Sequence, residues 1–162
     1  MKPLQILAEK YNLVHQESAG GPEIDADGDK YWHNANGLYH RTDGPAVEWA
    51  DGSKDWYIDG KRHRIDGPAI EDAEGHKAWY VNGKAHRLDG PAIEWANGKK
   101  GWYVNDKRHR LDGPAVINAK GGKEWYIDDI QYTEKGFNRY LKALKDRLDI
   151  LNKDNPGIEM DI

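Results

Sequence analysis

Apolar and polar side chains alternate in short runs through the middle of the chain, and the same runs return at a fixed interval. Residues 45–50, Pro-Ala-Val-Glu-Trp-Ala, and residues 54–58, Lys-Asp-Trp-Tyr-Ile, have the period-two pattern of half-buried strands. Asp51-Gly52 lies between them and Asp59-Gly60 follows. Asp-Gly is a hairpin signal because glycine accepts positive φ and aspartate bonds its own backbone. The pattern predicts strands near 45–50, 54–58 and 61–64, with proline at a strand start, where its missing donor does no harm. In such strands Trp56 and Ile58 point to one face and Tyr57 to the other, so the tryptophan face is expected to be core and the tyrosine face half-exposed.

The interval is 23 residues. It is set by His-Arg-x-Asp-Gly-Pro-Ala, which starts at His40, His63, His86 and His109. Trp-Tyr pairs at 56-57, 79-80, 102-103 and 125-126 keep the same period. A period of this size marks stacked supersecondary units, whose equivalent side chains line up along the stack. Residues 17–39 form a degenerate first unit, in which Gly21-Pro22 and Ala26-Asp27-Gly28 match later positions after a deletion and a compensating insertion. One position alternates with a period of two units: Trp49 and Trp95 stand where Asp72 and Asn118 stand, which points to alternate packing, with an uneven binding face as the alternative.

The ends differ. Within residues 3–14, Leu4, Leu7, Ala8 and Tyr11 have helical spacing and predict a short N-terminal helix that covers the first sheet edge, with Leu13 and Val14 passing into an extended segment. From residue 133, Phe137, Tyr140, Leu141, Leu144, Leu148 and Leu151 form one apolar stripe, predicting a helix over 134–152 with Thr133 as N-cap and Asn155-Pro156-Gly157 as its stop. This helix is expected to close the last unit, with docking on a partner protein as the alternative. The predicted class is therefore mainly β: tandem antiparallel β-hairpin (meander) repeats in an elongated twisted sheet, with a C-terminal capping α-helix and a short N-terminal helix. The divisions are an N-terminal cap (1–16), a five-unit array (17–132) and a C-terminal cap and tail (133–162).

Composition narrows the chemistry. Seven tryptophans and nine tyrosines against one phenylalanine suit a thin sheet whose rings reach solvent with their polar edges. A formal charge of -4, with both signs interspersed, weakens a general case for nucleic acid. Cysteine is absent, which excludes disulfides and thiolate chemistry. No run has the length of a signal peptide or membrane span, so a cytoplasmic location without membrane association is expected.

The repeated polar groups carry two readings. In the structural one, His40, His63, His86 and His109 bond the backbone of a neighbouring strand, and Arg41, Arg64, Arg87 and Arg110 pair with Asp43, Asp66, Asp89 and Asp112. Four near-equivalent environments favour this over one tuned catalytic cluster. In the other, the His-Arg pairs with Lys54, Lys77, Lys100 and Lys123 form a cationic strip for nucleotides or single-stranded nucleic acid. Glu48, Glu71 and Glu94 oppose that field if they share its face, and Gly44-Pro45 lacks the Gly-Lys-Ser/Thr ending of a phosphate loop. Single histidines at this spacing make neither a zinc site nor a hydrolytic pair, so no catalytic residue, cofactor or metal is expected.

From His40 through Tyr126 the units resemble a repeat family of bacteriophages, bacteria and large viruses, similar to the MORN-repeat variant group that includes YwqK-type antitoxins. Tyr132 to Phe137 resembles the transition into a C-terminal helix that closes such arrays. The resemblance implies a binding scaffold, phage-encoded and directed at a host protein, and it carries no catalytic set. The expected function is a non-enzymatic protein-binding repeat, an inhibitor or antitoxin-like factor. Its candidate face comprises Tyr57, Tyr80, Tyr103 and Tyr126 with the four histidines and four arginines of the motif. Nucleotide or nucleic-acid binding is the alternative.

Overall fold

The computed structural model describes residues 20–154. The short helix expected within 3–14 and the stop at Asn155-Pro156-Gly157 lie outside these residues. Within them the chain is mainly β, with 17 short antiparallel strands followed by one α-helix, Glu134–Asp154. Eleven strands form one long sheet whose order follows the chain, and the remaining six form three separate two-stranded hairpins.

Each interior unit contributes to both layers. Val47–Glu48 and Lys54–Asp55 pair in the long sheet, and Lys54–Asp55 pairs onward with Ile70–Glu71 of the next unit. Tyr57–Ile58 and Lys61–Arg62 form a small hairpin of their own. With two sheet strands per unit, the array advances roughly 10 Å per repeat.

Two turn types alternate. On the long sheet, Gly52 N–H bonds the Trp49 carbonyl at 3.0 Å while Trp49 N–H bonds the Ser53 carbonyl at 3.0 Å, and Gly52 has φ +93°: a three-residue loop ending in a bulge. On the small hairpins both central residues have positive φ, 49° and 75° at Asp59-Gly60 and 52° and 81° at Asn82-Gly83. That is the mirror-image two-residue turn whose twist matches the flanking strands. Asn105-Asp106 and Asp128-Asp129 adopt it without glycine.

The period-two alternation has a local cause in the three-residue loops. Where the residue just before the loop is Asp25, Asp72 or Asn118, its side-chain oxygen accepts N–H bonds from the residues two and four further on. Where that position is Trp49 or Trp95, the role moves two residues along, to Asp51 and Asn97, which accept from Ser53 and Lys99. A turn needs one such acceptor, so a large ring is tolerated wherever the acceptor has moved.

The strand expected over 54–58 is broken at Trp56, and this corrects the facing. Trp56 N–H bonds the Ala69 carbonyl of the next unit at 2.9 Å, as Trp79 does to Ala92 and Trp102 to Ala115, both at 2.8 Å. Simple alternation cannot pass through that bend. Trp56, Trp79 and Trp102 are consequently half-buried. The deepest row is the last residue of the motif: Ala46, Ala69, Ala92 and Ala115 are all 0% exposed.

In the last unit no further Ala carbonyl follows, and the strand runs unbroken over Lys123–Ile127, paired with Ile130–Tyr132. A fifth motif would fall at 132–138. Instead, Thr133 Oγ1 accepts the Gly136 N–H at 3.1 Å, capping the helix as expected. Phe137 is buried and the Tyr140 ring lies 5.7 Å from Tyr132, so the helix closes the final pair of strands.

Candidate functional site

The motif arginines occupy four repeated clamps. The Arg87 guanidinium lies 4.0 Å over the Trp79 ring of the preceding unit, its Nε donates to Asp89 Oδ1 at 2.8 Å and its Nη1 to the Pro91 carbonyl at 3.3 Å. Arg41 over Trp32, Arg64 over Trp56 and Arg110 over Trp102 repeat this at 4.0, 4.0 and 4.1 Å. Glu48, Glu71 and Glu94 add a second carboxylate to the first three, at 3.4, 3.0 and 3.7 Å. These hydrogen bonds hold the Asp43, Asp89 and Asp112 carboxyls below the usual carboxylate range.

The motif glycine also lies against this guanidinium. A Cβ on Gly44, Gly67, Gly90 or Gly113 would stand 2.9, 2.8, 2.9 or 3.2 Å from the Cζ of its arginine. None of these four has positive φ. Asp-Gly-Pro therefore needs glycine for close approach of the guanidinium, a role that the turn reading of the sequence missed.

The histidines tie each motif to the small-hairpin turn 19 residues on. Nδ1 of His40, His63, His86 and His109 lies 2.9, 3.0, 3.1 and 3.1 Å from the side-chain oxygen of Asp59, Asn82, Asn105 and Asp128. The backbone N–H of Asp59, Asn82 and Asn105 reaches the same nitrogens at 3.1, 3.2 and 3.3 Å. An unprotonated Nδ1 accepts that N–H and a protonated one donates to the side-chain oxygen, so either form holds the positive-φ residue in place. His40 is completely buried.

The tyrosines divide. Tyr57, Tyr80 and Tyr103 are half-buried, with Arg62 set between the first two at 5.5 and 5.8 Å from their ring centres. Burial pushes the Tyr57 and Tyr103 phenols up. Tyr126 is buried, donates to Glu124 Oε2 at 2.8 Å and carries Arg108 at 3.9 Å over its ring. Of the twelve candidate binding residues, His40 and Tyr126 thus lie inside the fold. The four arginines, and the three remaining histidines, are engaged in repeat contacts.

The lysines meet their opposites across the sheet. Lys30, Glu48, Lys54, Glu71, Lys77, Glu94 and Lys100 stand directly opposite one another on successive strands. Directly opposed residues share a face, so the charge alternates in sign along this row until Ile117 interrupts it.

What remains open is the variable position of the motif. Ile65 and Leu88 are 60% and 80% exposed, Leu111 is half-exposed in the same place, and Thr42 precedes them. Aliphatic residues in an otherwise polar loop were the available signal for this row in the sequence. Among the described residues, no group of three or more His, Asp or Glu side chains is placed to hold a metal ion, and no helix is long and apolar enough to cross a membrane. No protein-family model matches the chain, and no curated protein matches it.

Proposed function

We propose that this protein is a non-enzymatic, protein-binding repeat scaffold, acting as an inhibitor or antitoxin-like factor. The observation that carries the reading is the commitment of the cationic side chains. Each motif arginine is spent on a tryptophan and a carboxylate, and the sheet lysines alternate with glutamates, so neither the motif row nor the long-sheet row offers a continuous positive track for a phosphate backbone. A rigid array presenting half-exposed tyrosines and exposed aliphatics orders little on binding, and such surfaces favour protein partners. The resemblance of the unit to antitoxin-type repeats supports the inhibitory role.

Affinity capture from cell lysate, with and without nuclease, tests this. One protein recovered at moderate salt in both conditions is the expected result. Recovery of nucleic acid, or of proteins lost on nuclease treatment, overturns the scaffold in favour of nucleic-acid binding.

A further inference from the structure

Resting on the protein-binding reading, we propose that the row Ile65, Leu88 and Leu111 is a docking ridge for a basic amphipathic α-helix of a partner protein. Three observations lead there. The first is exposure: Ile65 and Leu88 are among the most exposed large apolar side chains of the described residues, and they occupy one place in successive units. Leu111 is partly buried at the same place, and Thr42, exposed there in the first motif, shows that the fold does not require an aliphatic residue at this position.

The second is charge. The carboxylate that follows each ridge residue points to solvent while the arginine that precedes it does not. Asp66, Asp89 and Asp112 side chains are 85%, 83% and 80% exposed, against 23%, 23% and 21% for Arg64, Arg87 and Arg110. A partner approaching the ridge meets an apolar row edged in negative charge, which calls for Lys or Arg beside its own apolar residues.

The third is spacing. The ridge repeats roughly every 10 Å, two strand separations. A helix returns the same face after seven residues, about 10.5 Å, with a drift of only about 20°. A β-strand has no matching step, because same-face residues come about 6.6 or 13 Å apart. A polyproline helix repeats about every 9.3 Å, close to this spacing, and is the competing form that a Pro-rich peptide tests. An α-helix satisfies its own backbone and meets the ridge with side chains alone.

The test uses the full chain and a dye-labelled, Ala-rich, Trp-free peptide with Leu at every seventh residue and Lys four residues after each Leu. Fluorescence anisotropy is compared with a peptide of the same composition in shuffled order and a Pro-rich peptide with Leu at every third residue. We expect the heptad peptide alone to bind, more weakly as salt is raised, and Leu88→Lys to weaken it about tenfold or more. Leu88→Ser should weaken it by less, with the melting temperature of both variants unchanged. Equal binding of the shuffled peptide, preference for the Pro-rich one, no binding, or indifference to Leu88→Lys overturns the ridge. If a nuclease-resistant protein captured from lysate is still retained by Leu88→Lys, the ridge fails and the scaffold stands. If capture returns nucleic acid only, both fail.

Discussion

Gly90→Ala is expected to destabilise the protein by about 1–2 kcal/mol and to do so only while Arg87 is present. The added Cβ would lie 2.9 Å from Arg87 Cζ, well inside the roughly 3.5–4.0 Å of a comfortable carbon contact. The guanidinium gives way only by disturbing its own contacts, among them the Trp79 ring, whose centre lies 4.0 Å away. It must tilt or swing out, and the cost is bounded by what its contacts are worth. A partly desolvated cation–π contact contributes about 1–2 kcal/mol and the bond to the Pro91 carbonyl about 1. The pair with the exposed Asp89 adds little. Arg87→Ala should therefore cost about 2–3 kcal/mol. Against the clash runs a gain of roughly 0.4–1 kcal/mol from stiffening the unfolded chain, since Gly90 has no positive φ and alanine fits the extended backbone before proline. In the Arg87→Ala background only that gain remains, and Gly90→Ala should be neutral or slightly stabilising. Urea unfolding of the four proteins, followed by far-UV circular dichroism, measures the cycle. Equal destabilisation by Gly90→Ala in both backgrounds would refute the clamp.

Two further outcomes follow from the same geometry. Ala92→Leu forces a large side chain into a row that is 0% exposed and should cost about 1–3 kcal/mol or prevent folding, read by the same urea titration; an unchanged midpoint would show that the alanine row is not close-packed. The carboxyls of Asp43, Asp89 and Asp112 lie below their ordinary value of 3.8, so their contribution is complete above that value and is lost as pH falls through the lowered ones. The melting temperature should accordingly drop below about pH 4, and Asp89→Asn, which removes one exposed and therefore weak pair, should drop only slightly less steeply; a steeper fall in Asp89→Asn would remove this pair as a cause.

Period and turn chemistry made the architecture legible, because Asp-Gly and Asn-Gly act locally and the 23-residue interval needs no knowledge of packing. The C-terminal helix was legible for the same reason: its periodicity and its Thr133 cap are local, and the helix and the cap stand as expected, although of its apolar stripe only Phe137 is buried while Tyr140 and Leu151 stay exposed. The Arg-Asp pairing could be read as well, at a separation of only two residues. Facing could not be read, since it depends on Trp56 N–H choosing the carbonyl of Ala69 in the next unit, a non-local bond that ends the strand where alternation would continue it. The role of Gly90 was hidden similarly. Glycine before proline reads as a turn until the guanidinium of Arg87 is seen against it. The ridge is not legible in the sequence because Ile65 and Leu88 occupy the variable letter of the motif, and an aliphatic letter in a repeat does not say whether it is buried or exposed. In the structure the fixed letters are largely occupied with the fold and the variable one faces out.

The most direct measurement of that division compares three adjacent residues of one motif: the melting temperatures of His86→Ala, Arg87→Ala and Leu88→Ser. His86 and Arg87 hold the next turn and the preceding tryptophan, so each loss should lower the midpoint, by roughly 3 °C per kcal/mol for a chain of this size. Leu88, 80% exposed, should leave it within about 1–2 °C of the parent. If Leu88→Ser unfolds the protein as readily as Arg87→Ala, or if Arg87→Ala leaves the midpoint in place, the separation of a structural motif from an open ridge is contradicted.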